Sequence, residues 1–226
     1  MVSPDSKSSS PGSAISRRGK RERKARKTRP LDETGLRDLA LSYAARYATT
    51  GAKLEAYLMR KLRERGAVED DDGRTVELDV TGLVTRLIEL GYVDDDAYAR
   101  IRSRDLTARG YGPRRVEQAL WAAGIKEQVR EDHALSEAAS RRAAIVLAKK
   151  RRFGPFGDPR APDDDHNELK RTLDQATRDK QIAAMIRAGH DFEHVRFIMD
   201  ASHLQEVADW LSEAEAGEAS GEEEFG

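Results

Sequence analysis

The chain has 226 residues, 38% of them apolar and 36% charged, with no cysteine. That composition excludes disulfides, Cys-zinc centres and thiol chemistry, and it supports a core only where helices share narrow apolar faces. A net charge of −1 hides segregation: residues 1–30 hold ten Lys/Arg against two acids, and residues 213–226 hold six Glu and no base.

Residues 1–30 are Ser/Pro/Gly-rich and then basic from Arg17 to Arg29. They hold almost no apolar residues to offset ordering entropy and read as a disordered arm with no apolar signal-peptide core. From Leu31 helical periodicity begins. Leu36, Leu39, Ala40, Tyr43 and Tyr47 recur at three- and four-residue steps. Thr50-Gly51 breaks that run, Leu54, Tyr57, Leu58 and Leu62 line a second helix, and Gly66 ends it. Glu69 to Gly73 is an acidic insertion without the ligand spacing of a calcium loop. Val80, Leu83, Val84, Leu87 and Ile88 mark a third helix.

The densest punctuation follows. Gly91 supplies a left-handed stop, and Asp94, Asp95 and Asp96 cap the next helix, where the macrodipole favours carboxylates. That helix carries Tyr98 and Ile101 inward, with Arg100, Arg102, Arg104 and Arg109 outward. After Gly110-Tyr111-Gly112, Pro113 opens a helix with Arg114, Arg115, Val116, Leu120 and Trp121, and Gly124 closes it. Val129 to Leu135 suggest a further short helix. Ala143 to Ala148 suggest one ending in Lys149, Lys150, Arg151 and Arg152, then a Pro/Gly loop over 153–166. The last block holds three helices, stopped or capped at Gly189, Asp191 and Ser202 or His203, before a Glu/Ala/Gly tail expected to fray.

Leu62, Leu120 and Met185 each sit four residues before a stop glycine (Gly66, Gly124, Gly189), which predicts an internal helical repeat. The expected fold is all-α: an elongated, right-to-left stacked array of three three-helix modules, tandem helical repeats with disordered tails. Its parts are a basic arm (1–30), repeat 1 (31–93, acidic insertion 68–75), repeat 2 (94–139), repeat 3 (140–212, loop 153–166) and an acidic tail (213–226).

No catalytic constellation is present, and the chain reads as a binding protein rather than an enzyme. GYGPRR lacks the closing Lys-Ser/Thr of a phosphate loop. His190 and His194 have a zinc-compatible spacing, but Gly189 and Asp191 place His190 outside the helix, so no metal and no cofactor is expected. The binding candidates are cationic. Arg114 and Arg115 stand beside helix-start N–H groups, a competent anion site, preceded by Arg102, Arg104 and Arg109. Lys149, Lys150, Arg151 and Arg152 join them if the modules stack. Aromatics suited to base stacking are not interleaved with these arginines.

Leu90-Gly91-Tyr92-Val93-Asp94-Asp95, Tyr98-Ala99, Arg109-Gly110, Gly112 to Arg115, Leu120 and Gly124-Ile125 together resemble the RecX family of bacterial RecA regulators. The resemblance covers roughly Leu36 to Leu211 and is weakest in the third module. It implies an elongated helical array that lies in the groove of the RecA filament on single-stranded DNA; the lack of cysteine and of a signal core makes a cytoplasmic location the default, and a monomer is expected. It also implies inhibition of ATP turnover and strand exchange, within DNA repair, recombination and the SOS response. The rival readings are direct nucleic-acid binding through the basic arm and Arg114/Arg115, and a helical scaffold for another partner. No apolar run suits a membrane span.

Overall fold

The computed structural model describes residues 29–157 and 168–223. The basic stretch over 1–28 and most of the 153–166 loop lie outside them. Ten α-helices follow one another among the described residues: α1 (Glu33–Arg46), α2 (Gly51–Arg65), α3 (Val80–Glu89), α4 (Asp95–Ala108), α5 (Pro113–Trp121), α6 (Glu127–Asp132), α7 (Glu137–Arg151), α8 (Glu168–Arg187), α9 (Phe192–Asp200) and α10 (Leu204–Glu223). A single 3-10 turn, Gly154–Phe156, follows α7.

Local chemistry sets the helix starts. Side-chain oxygens of Asp32, Thr50, Asp79, Asp94 and Ser136 accept hydrogen bonds from backbone N–H groups three residues on. Each satisfies one of the donors a helix start leaves open. Four of the helix ends share one device. At Gly91, Gly110, Gly124 and Gly189 the chain turns left-handed, and the next N–H bonds back five residues: Tyr92 to Leu87, Tyr111 to Leu106, Ile125 to Leu120, His190 to Met185. Arg152 closes α7 in the same way at φ 57°, with Phe153 N–H on Ala148.

Three separate apolar clusters form. The first joins Leu31, Leu36, Leu54, Leu58, Val84 and Leu87; the second Ala99, Leu106, Val116, Leu120 and Ile125; the third Ala144, Ala148, Met185, Val195 and Ile198. Each full burial of a Leu or Ile contributes about 1.5–3 kcal/mol, so a module with few such residues leans on its neighbours. The fold is thus an all-α array of three-helix modules (α1–α3, α4–α6, α7–α9), extended by α10.

The modules meet in a repeated joint. The start of the second helix in one module docks on the stop glycine of the second helix in the next. Thr50 Oγ1 donates to Ala123 O at 2.6 Å while accepting from Lys53 N–H at 3.2 Å. One module on, Gly112 N–H donates to Ala188 O at 2.9 Å and Arg114 N–H to Gly189 O at 3.2 Å. At the free end of module one, Leu31 N–H takes Gly66 O at 2.8 Å, so the entering chain occupies the equivalent position.

Two expectations change. The acidic tail over 213–226 is helical to Glu223, because the N-terminal half of α7 holds it: Arg141 bonds Trp210 O and Glu213, Arg142 pairs Glu215, and Ala138 N–H donates to Glu218. Ile101 points outward and is 65% exposed, and Trp121 is 67% exposed. The buried stripe of α4 runs instead through Ala99, Ser103 and Leu106. Ser136 caps α7, the first helix of the third module in this grouping of the helices. The acidic insertion has a local order of its own: Asp70 accepts from the Asp72 and Arg74 N–H groups in a tight turn closed by a Glu69–Thr75 bridge.

Candidate interaction site

The joint between modules two and three brings most of the sequence-selected cations near one another. On the α5 side, the expected anion site is absent: the N–H groups of Gly112 and Arg114 are consumed by Ala188 and Gly189 carbonyls, and Pro113 has none. Arg114 lies 3.2 Å from Asp191, and Arg115 donates to Gln118 at 2.8 Å. The helix start that looks like a phosphate cradle is a structural joint between modules. Gly189 has no room for a side chain there, since a Cβ would lie 2.4 Å from Arg115 N.

His190 seals this joint. It is fully buried, and its Nε2–H donates to Gly110 O at 3.0 Å. Burial pushes its pKa below the usual histidine value, against the pull of the Gly110 carbonyl, so the imidazole sits in the joint neutral. His194 lies apart on α9, with Nε2 3.1 Å from Glu137 Oε1. Burial raises the Glu137 carboxyl, but the hydrogen bond from Arg141 and the charge of His194 outweigh it and hold the group below its ordinary range. The two histidines therefore have different partners, and no group of three or more His, Asp or Glu among the described residues could hold a metal.

The opposite edge of the joint is basic. Arg109, Tyr111, Leu147, Lys150, Arg151 and Phe153 line a small hollow where α4, α7 and α8 all end. Lys149 and Arg152 flank it, both exposed. Among the described residues, Lys149 to Arg152 make no ion pair. Part of their role is to offset the partial negative charge of converging helix C-termini, about 0.3–1 kcal/mol for each cation. Arg109 shares Asp105 with Arg102, at 3.1 and 3.4 Å. Arg104 is exposed on a different face of α4 from this pair. Stacking thus unites Arg109 with Lys150 and Arg151, keeps Arg102 nearby through Asp105, and leaves Arg104, Arg114 and Arg115 outside the hollow.

Sequence reading missed Tyr111, which the fold places among these cations, and missed the tyrosines of α1 and α2. Tyr43 and Tyr57 stack at 4.2 Å, and Tyr47 leans on Tyr43 at 5.1 Å. The helical spacing of Tyr43 and Tyr47 is visible in the sequence, but their pairing with Tyr57 across two helices has no local signature. No helix among the described residues is long and apolar enough to cross a membrane.

No family model matches the chain. Individual relatives do. The regulatory protein RecX of Myxococcus xanthus is 27% identical over 186 residues, spanning 81% of this chain and 94% of that protein. RecX of Agrobacterium fabrum is 29% identical over 79% of this chain and 88% of its own. RecX of Thermus thermophilus is 36% identical over 114 residues, half of this chain and 71% of the relative. The crystal structure of RecX from Lactobacillus salivarius superposes with a TM-score of 0.50 at 17% identity, covering 74% of this chain and 93% of that one, and so shares the fold. On that identity and coverage, with a repeated helical joint at its centre, this chain belongs to the RecX family of regulatory proteins.

Proposed function

We propose that this protein binds RecA and its filament on single-stranded DNA and acts there as a non-enzymatic modulator, inhibiting ATP hydrolysis, strand exchange and recombination. Membership of a family named for regulation, in a chain built as a linear series of modules, carries the reading. A stacked array offers separate surfaces to successive protomers of a helical polymer. Several weak contacts on one rigid body then reinforce each other, because each later contact is intramolecular. The basic edge at Arg109, Lys149, Lys150, Arg151 and Arg152 is the surface assigned to the filament, facing acidic protein or the strand. Direct nucleic-acid binding through Arg114 and Arg115 is the weaker reading, since Arg114 is paired with Asp191 and the neighbouring N–H groups are occupied.

The test is single-strand-dependent ATP hydrolysis by RecA, titrated with this protein and with a Lys150→Glu/Arg151→Glu variant. Inhibition well below one copy per RecA protomer, weakened about tenfold or more by the double reversal, is the expected result. Inhibition only when the protein saturates the DNA would replace filament modulation with competition for the strand.

A further inference from the structure

The outer face of α1 and α2, in the first module, combines rings and cations in a way the core does not require. Ser42, Tyr43, Arg46, Tyr47, Tyr57 and Arg60 line a hollow of about 280 Å³. Its lining among the described residues includes no carboxylate. The Arg60 guanidinium lies 5.5 Å and the Lys61 ammonium 5.9 Å from the Tyr57 ring centroid. Tyr43 and Tyr57 pack partly against the first apolar cluster, which accounts for them structurally. Tyr47 is different: its side chain is 54% exposed, beyond the last turn of α1, with one edge of its ring on Tyr43. Arg46, next to it, makes no ion pair among the described residues. Arg60 reaches Glu64 only at 3.7 Å with both side chains about half in water, an arrangement that contributes little and is easily exchanged.

An aromatic platform beside one unpaired arginine, Arg46, and one loosely paired, Arg60, matches what a single strand presents: flat bases with π-faces, and a phosphate for each. An anion alone would not use the exposed ring face of Tyr47, and a neutral aromatic ligand alone would leave the Arg46 charge uncompensated. Duplex DNA hides its base faces and leaves Tyr47 nothing to stack on. We propose that this face is a single-stranded DNA site, in which Tyr47 stacks a base and Arg46 and Arg60 hold the flanking phosphates. The site needs no RecA to act, so it stands or falls separately from the filament reading. It also lies in a different module from the basic edge at Lys149 to Arg152, which gives the chain two contacts with one strand or filament.

The experiment is fluorescence anisotropy of a labelled oligothymidylate with the full chain. Tyr47→Ala weakens binding on the order of tenfold, and Tyr47→Phe keeps it, because stacking needs the ring and not the hydroxyl. Arg46→Gln and Arg60→Gln each reduce the slope of log affinity against log salt by about 0.7. Ultraviolet cross-linking of a 5-iododeoxyuridine strand to the unaltered protein marks the peptide holding Tyr47 or Tyr57, a readout that no folding defect can imitate. Unchanged affinity in Tyr47→Ala, cross-links confined to residues 17–29 or 149–152, or equal binding of duplex would each overturn the proposal.

Discussion

Gly189→Ala lowers the stability of the third module by about 2–4 kcal/mol, combining the left-handed conformation with overpacking at a joint. Gly189 sits at φ +92°, and an added Cβ would lie 2.4 Å from Arg115 N and 2.7 Å from Arg115 Cβ. The backbone at the start of α5 cannot yield without breaking the Gly112–Ala188 and Arg114–Gly189 hydrogen bonds. Gly91→Ala separates the two contributions. Gly91 makes the same helix-ending turn at φ +75°, but nothing lies within 4 Å of where a methyl would stand, and Arg152 already fills that kind of turn with a side chain. Gly91→Ala therefore costs only about 1–2 kcal/mol. Urea unfolding followed by far-ultraviolet circular dichroism reads the helices of all three modules, and Trp210, whose indole stacks on Phe197 at 4.6 Å, adds a probe of module three. Equal shifts of the midpoint in the two variants would mean that the joint carries no energy of its own.

Thr50→Val is the matching probe of the joint between modules one and two. The substitution keeps the volume and the branching and removes one hydroxyl. That hydroxyl caps α2 and also reaches Ala123 O, with Thr50 fully buried and Ala123 3% exposed. Losing the cap costs about 1 kcal/mol, and leaving a buried carbonyl unpaired costs about 1–3 kcal/mol more. The expected sum, about 2–4 kcal/mol, is large for a change of one polar atom. Thr50→Ser, which retains the hydroxyl, recovers most of it in the same urea titration. A Val variant as stable as the parent would show that Thr50 serves neither purpose.

The parts of the fold legible in the sequence are those decided within a few residues. Asp94 caps and Gly91 stops because each acts on backbone groups three to five positions away, and the equivalence of Gly124 and Gly189 follows from the same local turn, whereas Gly66 leaves α2 into extended chain at ψ 164°. What a helix start does with its N–H groups is not local. Gly112-Pro113-Arg114-Arg115 has the look of an anion site, and only the approach of Ala188 and Gly189, a whole module further along the chain, turns it into a joint. The tail misled for a related reason. Glu213, Glu215 and Glu218 have no apolar stripe to argue for a helix, and their partners Arg141, Arg142 and Ala138 N–H lie on α7. Ile101 and Trp121 face water although both lie in helical periodicity, because each narrow module needs only one stripe of each helix. The tyrosine face of α1 and α2 was hidden because it is assembled from two helices.

The most direct measurement of the central claim is lysine cross-linking mass spectrometry on RecA filaments assembled on single-stranded DNA with this protein bound. Lys53 and Lys61 stand on α2, and Lys149 and Lys150 close α7, at separate modules of the array. Cross-links to RecA from both pairs are expected, with loss of the Lys149 cross-links in Lys150→Glu/Arg151→Glu. Absence of RecA cross-links at filament-saturating concentrations, or attachment through a single module only, would contradict an array that engages the filament along its length.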